Sequence, residues 1–272
     1  MGKLAIQLLC SFFIFLLLHT LAAESQEAGH EKEFDYQKNS EKGPARWGEL
    51  DPNWSTCSNG TMQSPINILK RSVKIVSHLG GLDRDYKPSN ATLKNRGHDM
   101  MLEWEIGAGN VEINGTEYVL QQCHWHSPSE HTINGRRYAL EMHMVHKSQD
   151  GTVAVVGIIY KVGNPDSFLS SLRDHLRLVA GPREAEKVVG LVNPYDIRIS
   201  RKYYRYMGSL TTPPCTENVT WTISKKVRTV TKEQVRLLRV AVHHESGTNA
   251  RPSQPTNGRL VQLYEPDEDK DD

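Results

Sequence analysis

Apolar positions are arranged in two different ways along the chain. Behind Lys3 comes a mainly apolar run over residues 4–21, closed by Ala22, Ala23 and then Glu24. A basic start, a short apolar core and small residues at the exit predict a secretory signal peptide over 1–23. A membrane anchor would need a longer span, and no second apolar run of that length follows. Residues 24–46 are polar and predict a loosely held leader, with the folded domain starting near Trp47 and running to 264. There the pattern changes to short alternating stretches, the period of half-buried strands, at 101–106, 111–113, 118–126, 138–145 and 153–162. Asn114-Gly115 and Asn134-Gly135 are hairpin signals, because a type I′ turn needs positive φ at both central positions. Three helices interrupt the strands. Residues 165–179 put Phe168, Leu169, Leu172 and Leu176 on one face. Residues 183–192 form a weaker helical pattern. Residues 231–242 open with Thr231 and Gln234 as a capping box and bury Val235, Leu238 and Val242. No internal repeat and no interdomain linker occurs, so the chain reads as one mainly β (α+β) domain with a few surface helices.

Charge narrows the class. The 272 residues carry a net charge of +1. No basic stripe suggests nucleic acid and no amphipathic basic helix suggests a membrane surface. The end of the chain, 265–272, is acidic and predicts a disordered, solubilising tail. Signal-peptide cleavage removes Cys10 and leaves Cys57, Cys123 and Cys215, enough for one disulfide and one spare thiol. Asn53, Asn59, Asn90, Asn114 and Asn218 each begin an N-x-Ser/Thr sequon, so a secreted chain is expected to be glycosylated at some of them.

The chemistry concentrates in Gln122-Cys123-His124-Trp125-His126 and Glu141-Met142-His143. Alternate residues of a strand share a face, so His124 and His126 point one way, and Cys123 and Trp125 the other. Cys123 is accordingly read as core packing. A symmetric hairpin about Asn134-Gly135 would set His126 opposite His143, though the loop at Pro128 can shift that register. A lone histidine in a strand is more often a packed core residue than a ligand. Three on one face of a two-strand ribbon suit tetrahedral Zn²⁺ with its fourth position open. Zinc-bound imidazoles need an acceptor at the other ring nitrogen. Gln122 and Glu141, each two residues before a histidine on the same face, are the candidates, with Glu141 assigned to His143.

These motifs resemble those of the α-type carbonic anhydrases. So do Gln63-Ser64-Pro65-Ile66-Asn67-Ile68, Arg96-Gly97-His98, Ser129-Glu130-His131-Thr132, the run 209–217 around Thr211 and Thr212, and Arg251-Pro252-Ser253-Gln254-Pro255. The similarity runs in order from Trp47 to about Leu263, with features of the plant nectarin and dioscorin branch. It implies a large twisted, mostly antiparallel sheet with zinc in a conical cleft. It implies reversible hydration of carbon dioxide to bicarbonate by zinc-bound hydroxide, with zinc held by His124, His126 and His143. In those enzymes zinc lowers the pKa of its bound water to about 7, a value known for them rather than obtained from this chain. Thr211 would accept from the hydroxide and donate to Glu130. Thr211 N–H and Thr212 would seat substrate, and Val145, Val155, Leu210, Val219 and Trp221 would form the apolar wall. His98 would shuttle the proton, a task that suits an imidazole of pKa about 6.5. Cys57 and Cys215 fall where secreted members form a disulfide, a cross-link contributing about 2–4 kcal/mol. Two positions depart from the pattern. Glu49 follows Trp47-Gly48 where many relatives have tyrosine, and Met101 stands where many have a polar residue.

The remaining histidines read blandly: His131 and His146 as buried groups near the site, and His78, His175, His243 and His244 as surface or structural. An alternative reading keeps the fold in a secreted storage or defence glycoprotein with incidental activity, and another makes the zinc purely structural. The sequence implies a small-molecule substrate, with no nucleic acid and no membrane partner, and does not distinguish monomer from dimer. Secretion is the expected destination, with a plastid reached through the secretory route as the alternative.

Overall fold

The computed structural model describes residues 33–180, 184–240 and 247–266, so the stretch 1–23 expected to be a signal peptide and the tail beyond 266 lie outside it. The strands are β1 (Asn67–Ile68), β2 (Lys74–Ile75), β3 (Asp83–Tyr86), β4 (Ser89–Asn95), β5 (Met100–Trp104), β6 (Gly109–Ile113), β7 (Thr116–His126) and β8 (Thr132–Ile133). They continue with β9 (Leu140–Lys147), β10 (Val153–Val162), β11 (Glu186–Val192), β12 (Tyr203–Ser209), β13 (Glu217–Ser224), β14 (Arg228–Val230) and β15 (Gln262–Tyr264). Thirteen of them form one sheet, whose main path runs β11-β4-β5-β7-β9-β10-β13-β12-β15-β2. Pairing is mostly antiparallel, with parallel contacts at β10–β13, β10–β14 and β15–β2. The expected large mainly antiparallel sheet is therefore present. Both predicted hairpin turns have positive φ at both positions: Asn114 53° and Gly115 77°, Asn134 50° and Gly135 77°.

The helices are α1 (Trp47–Leu50), α2 (Thr56–Asn59), α3 (Ser167–Ser171), α4 (Arg173–Val179) and α5 (Lys232–Arg239). The stretch predicted as one helix over 165–179 is broken at Leu172 into α3 and α4, yet Phe168, Leu169, Leu172 and Leu176 are all buried as expected. Asp166 caps α3, its side chain accepting from Leu169 N at 3.0 Å. The capping box on α5 forms, with Gln234 N donating to Thr231 Oγ1 and Thr231 N to Gln234 Oε1, each at 3.1 Å. Val242, placed on this helix by the sequence pattern, lies outside the described residues.

The helix expected over 183–192 is instead strand β11, antiparallel to β4. Its apolar spacing fits a helix, but Val188, Val189 and Val192 are β-branched and favour an extended backbone. Gly190 adopts φ 88°, and the register shifts between Val188 and Gly190. Such a shift is a bulge that a helical pattern conceals.

The residues just before Trp47, read as part of a loose leader, are packed from Phe34 onward. Phe34 and Tyr36 meet the Trp47 ring edge-on at 5.3 and 5.5 Å, and Trp47 Nε1 donates to the carbonyls of Asp35 and Lys42, both at 3.1 Å. Two aromatic side chains suffice to hold an otherwise polar segment. Cys57 of α2 and Cys215 join this corner to the loop after β12 through a disulfide spanning 158 residues of sequence.

The sheet has two buried faces near its centre. Cys123, Trp125, Met142, Met144, Val156 and Ile158 pack on the helical side with Phe168, Leu172, Leu176 and Val235. Val155, Val219, Trp221 and Ile223 pack on the other side. His124 and His126 of β7 and His143 of β9 lie on that second side, His143 against Trp221.

Candidate metal centre

Strands β7 and β9 lie side by side, with His124 directly opposite His143 and His126 opposite Glu141. The expected pairing of His126 with His143 is thus displaced by two residues. The chain leaves β7 at Ser127, and Pro128 has no N–H to give a ladder. Asn134-Gly135 then turns a separate element, since Thr132–Ile133 pairs with Asn67–Ile68 instead of extending β7. The neighbourhood survives the shift, because two residues preserve the face. The imidazole centroids are 5.0 Å apart for His124–His126, 5.3 Å for His124–His143 and 4.6 Å for His126–His143. One nitrogen from each falls within 4.8 Å of the others, and all three residues are buried.

Each ring has its second nitrogen held. His124 Nδ1 meets Gln122 Oε1 at 2.9 Å. His143 Nε2 donates to Glu141 Oε1 at 2.8 Å. Both partners are those the sequence singled out. His126 Nδ1 donates to the Asn249 carbonyl at 2.7 Å, a partner no sequence signal marked. Asn249 is buried and closes its own amide on three backbone groups. It accepts from Ser127 N at 2.7 Å and donates to the Trp125 and His98 carbonyls at 2.9 Å. His124 and His126 therefore turn Nε2 inward, whereas His143 turns Nδ1 inward. Among the described residues His126 Nε2 is buried without a hydrogen-bond partner, the condition of a nitrogen reserved for a ligand. Burial first, against Asp99, and then the charges of His126, Arg96 and His143 draw His124 below the ordinary histidine pKa. Burial also lowers His143, against Glu141. Neutral rings with outward nitrogens fixed are what a metal requires. The residues present fit zinc.

Glu141 also binds His131, whose Nδ1 donates to Oε1 at 2.7 Å and whose Nε2 meets Tyr206 Oη at 2.7 Å. His131 is thereby a buried support. His146, likewise buried, pairs with Tyr86 Oη at 2.9 Å. Gly157 sits opposite His143 on β10, where a Cβ would stand 2.6 Å from Ile223 Cδ1 and 3.4 Å from Glu141 Oε1. The missing side chain leaves room for this carboxylate.

Beside the His143 ring lie several of the other predicted residues. Val155 pairs across the sheet with both Val145 and Trp221, and the Trp221 ring lies 4.8 Å from that of His143. Val219 is buried in this cluster, with Leu210 packed against it. Glu130 is fully buried. Oε1 accepts from Arg251 N at 2.7 Å, while Oε2 has no partner and lies 4.0 Å from His143 Nδ1. Thr211 is buried and Thr212 half-buried in the loop after β12. That loop is pinned by Leu210 N to Thr216 O at 2.9 Å, by Cys215 N to Thr212 O at 2.8 Å, and by the disulfide. His98 is half-buried in the β4–β5 turn, its ring 5.1 Å from Phe34. Met101 pairs with His124 across β5–β7 and so shares its face. Glu49 stands elsewhere, in an exposed ion pair with Arg46 at 2.9 Å. A tyrosine near the site comes from earlier in the chain. Tyr36 buries its hydroxyl without a partner, and burial, then Glu130 and Asp99, push its pKa well up.

Residues 42–265 match the family of eukaryotic-type carbonic anhydrases. The chain belongs to the α-carbonic anhydrase family. It is 60% identical over 259 residues to alpha carbonic anhydrase 7 of Arabidopsis thaliana, covering 95% of this chain and 94% of that one. Among solved structures, dioscorin complexed with ascorbate superposes with a TM-score of 0.84 at 44% identity, over 87% of this chain and 99% of that one. The α-carbonic anhydrase of Thermovibrio ammonificans, in complex with the inhibitor sulfanilamide, superposes with a TM-score of 0.78 at 32% identity, over 86% and 100%. α-Carbonic anhydrases are zinc enzymes that hydrate carbon dioxide, and the three-histidine centre of this member stands in that fold.

His78 is exposed and His175 half-buried, as their bland readings implied, while His243 and His244 lie outside the described residues. Cys123 is buried and unpaired in the opposite core. The asparagines of all five sequons are exposed. No helix among the described residues is long and apolar enough to cross a membrane.

Proposed function

We propose that this chain is a secreted carbonic anhydrase that holds zinc on His124, His126 and His143 and hydrates carbon dioxide to bicarbonate and a proton. The observation that carries the reading is the set of three inward nitrogens whose opposite nitrogens are already committed to Gln122, Asn249 and Glu141. When bound, zinc acts as a Lewis acid that makes a coordinated water acidic near neutral pH and so supplies the nucleophile.

The chain's own residues do the rest. Glu130 Oε2 is buried and unpaired, and an ionised carboxylate oxygen only accepts. We assign it the proton of Thr211 Oγ1. That commits Thr211 Oγ1 to accept from the reacting water and so fixes the direction of its lone pair. Val145, Val155, Leu210, Val219 and Trp221 offer apolar surface suited to an uncharged substrate, and Thr211 N–H with Thr212 seats the product. His98, half-buried at the rim, takes the released proton onward, since an imidazole both accepts and releases near neutrality. The exposed sequons fit a secreted chain, and glycans at some of them belong to this proposal.

Similarity to dioscorin supports a second reading, a storage or defence protein whose turnover is incidental. Storage requires neither a buried Glu130 nor an ordered Thr211 loop. Glu130→Gln separates the two readings. It is expected to keep its zinc and to lose hydration by about a hundredfold. Unchanged hydration with zinc retained would favour incidental activity.

A further inference from the structure

The sheet face remote from the metal carries a cavity that the hydration reaction does not use. On β12, Arg205 and Met207 alternate with Tyr204 and Tyr206, and their cross-strand partners on β13 are Thr222 and Thr220. Val219 and Trp221, on the opposite parity, pack on the metal side. Arg205, Met207, Arg259 and Gln262 line a space of about 460 Å³, closed partly by Leu79 and Leu260.

Among the described residues, no aspartate or glutamate lines this space. Arg205 is buried and donates through Nε to Thr222 Oγ1 at 3.0 Å, with its guanidinium 5.0 Å above the Tyr203 ring. Among the described residues its terminal amino groups meet no acceptor. Desolvation lowers its pKa, with Tyr203 and Tyr118 acting in opposition, so the charge is held at a cost that an anion would relieve. Arg259 is locked by four carbonyls. Nε donates to Thr256 O at 2.9 Å, Nη1 to Met207 O at 3.0 Å, and Nη2 to Gln63 O and Pro255 O, both at 2.8 Å. Its guanidinium lies 5.7 Å from the Tyr206 ring centroid, and Glu217, which accepts from Met62 N at 2.6 Å and Gln63 Nε2 at 2.9 Å, offsets its charge from a distance. The cavity therefore presents two fixed cations, a free guanidinium edge suited to a bidentate oxyanion, and an apolar rim from Leu79, Met207 and Leu260.

We propose that this cavity is a second ligand site, separate from the metal centre, for a small organic carboxylate with an apolar body. The carboxylate pairs with Arg205 while the apolar part lies against Met207 and the leucines. The test is calorimetric titration of the zinc-loaded chain with benzoate, with and without saturating sulfanilamide at the metal. One benzoate per chain is expected, unaffected by sulfanilamide. Arg205→Gln should weaken it about tenfold, the loss of one charged hydrogen-bond pair. Met207→Glu, at a position 42% exposed and thus tolerant of change, should weaken it similarly by repulsion and guards against misfolding of the first variant. No saturable binding, displacement by sulfanilamide, or unchanged affinity in both variants would overturn the proposal. Inorganic phosphate binding more tightly than benzoate would overturn the carboxylate assignment.

Discussion

Glu141 Oε1 accepts from His143 Nε2 at 2.8 Å and fixes which nitrogen of that ring faces the centre. The same oxygen takes a second bond from His131 Nδ1 at 2.7 Å, and Oε2 accepts from His131 N at 2.8 Å. Burial alone would raise this carboxyl's pKa, but the two imidazoles hold it well below the usual range. It is therefore a charged acceptor that makes the His143 ring more basic toward a metal. Glu141→Gln should reduce zinc affinity by about 10–100-fold, as read by chelator competition. Affinity equal to wild type would show that the carboxylate does not tune the ligand.

His98 sits where a proton can leave. Its carbonyl is tied to Asn249, the residue that also holds His126, so the turn is fixed relative to the centre. In weak buffer, His98→Ala should hydrate carbon dioxide roughly ten- to a hundredfold more slowly, and added imidazole should restore the rate. A rate insensitive to both changes would remove His98 from the path.

His146 makes stability depend on pH. Burial pulls its pKa down to about 4, against an ordinary value of 6.5. Below pH 6.5 the unfolded chain gains this proton before the folded one, so stability falls as the pH drops from 6.5 toward 4. His146→Gln should be less stable at pH 7 but show a shallower decline over that window, measured by urea midpoints at several pH values. Parallel wild-type and variant profiles would contradict the assignment.

The parts of this protein written in local pattern were legible in the sequence. Both Asn-Gly turns, the strand Val153–Val162 and the capping box of Thr231 and Gln234 each depend on residues a few positions apart. The alternation of His124, Trp125 and His126 sets facing without any tertiary information. Register is different. The offset between β7 and β9 depends on where the segment after Ser127 goes, and β8 pairs with β1, some 65 residues away. Asn249 was illegible because its partner His126 is 123 positions distant and the contact is a backbone carbonyl, which every residue possesses. Gly157 matters only because Glu141 lies behind it. Tyr36 gives no such signal, because it is buried against Trp47 from within a polar segment. The valines of β11 satisfied a helical spacing that their branching contradicts.

Whether His124, His126 and His143 carry the reaction is read by stopped-flow hydration of carbon dioxide by the purified chain, with zinc assayed on the same sample. One zinc per chain, rapid hydration, and loss of both in His143→Ala are expected. Stoichiometric zinc with hydration no faster than in that variant would contradict that role.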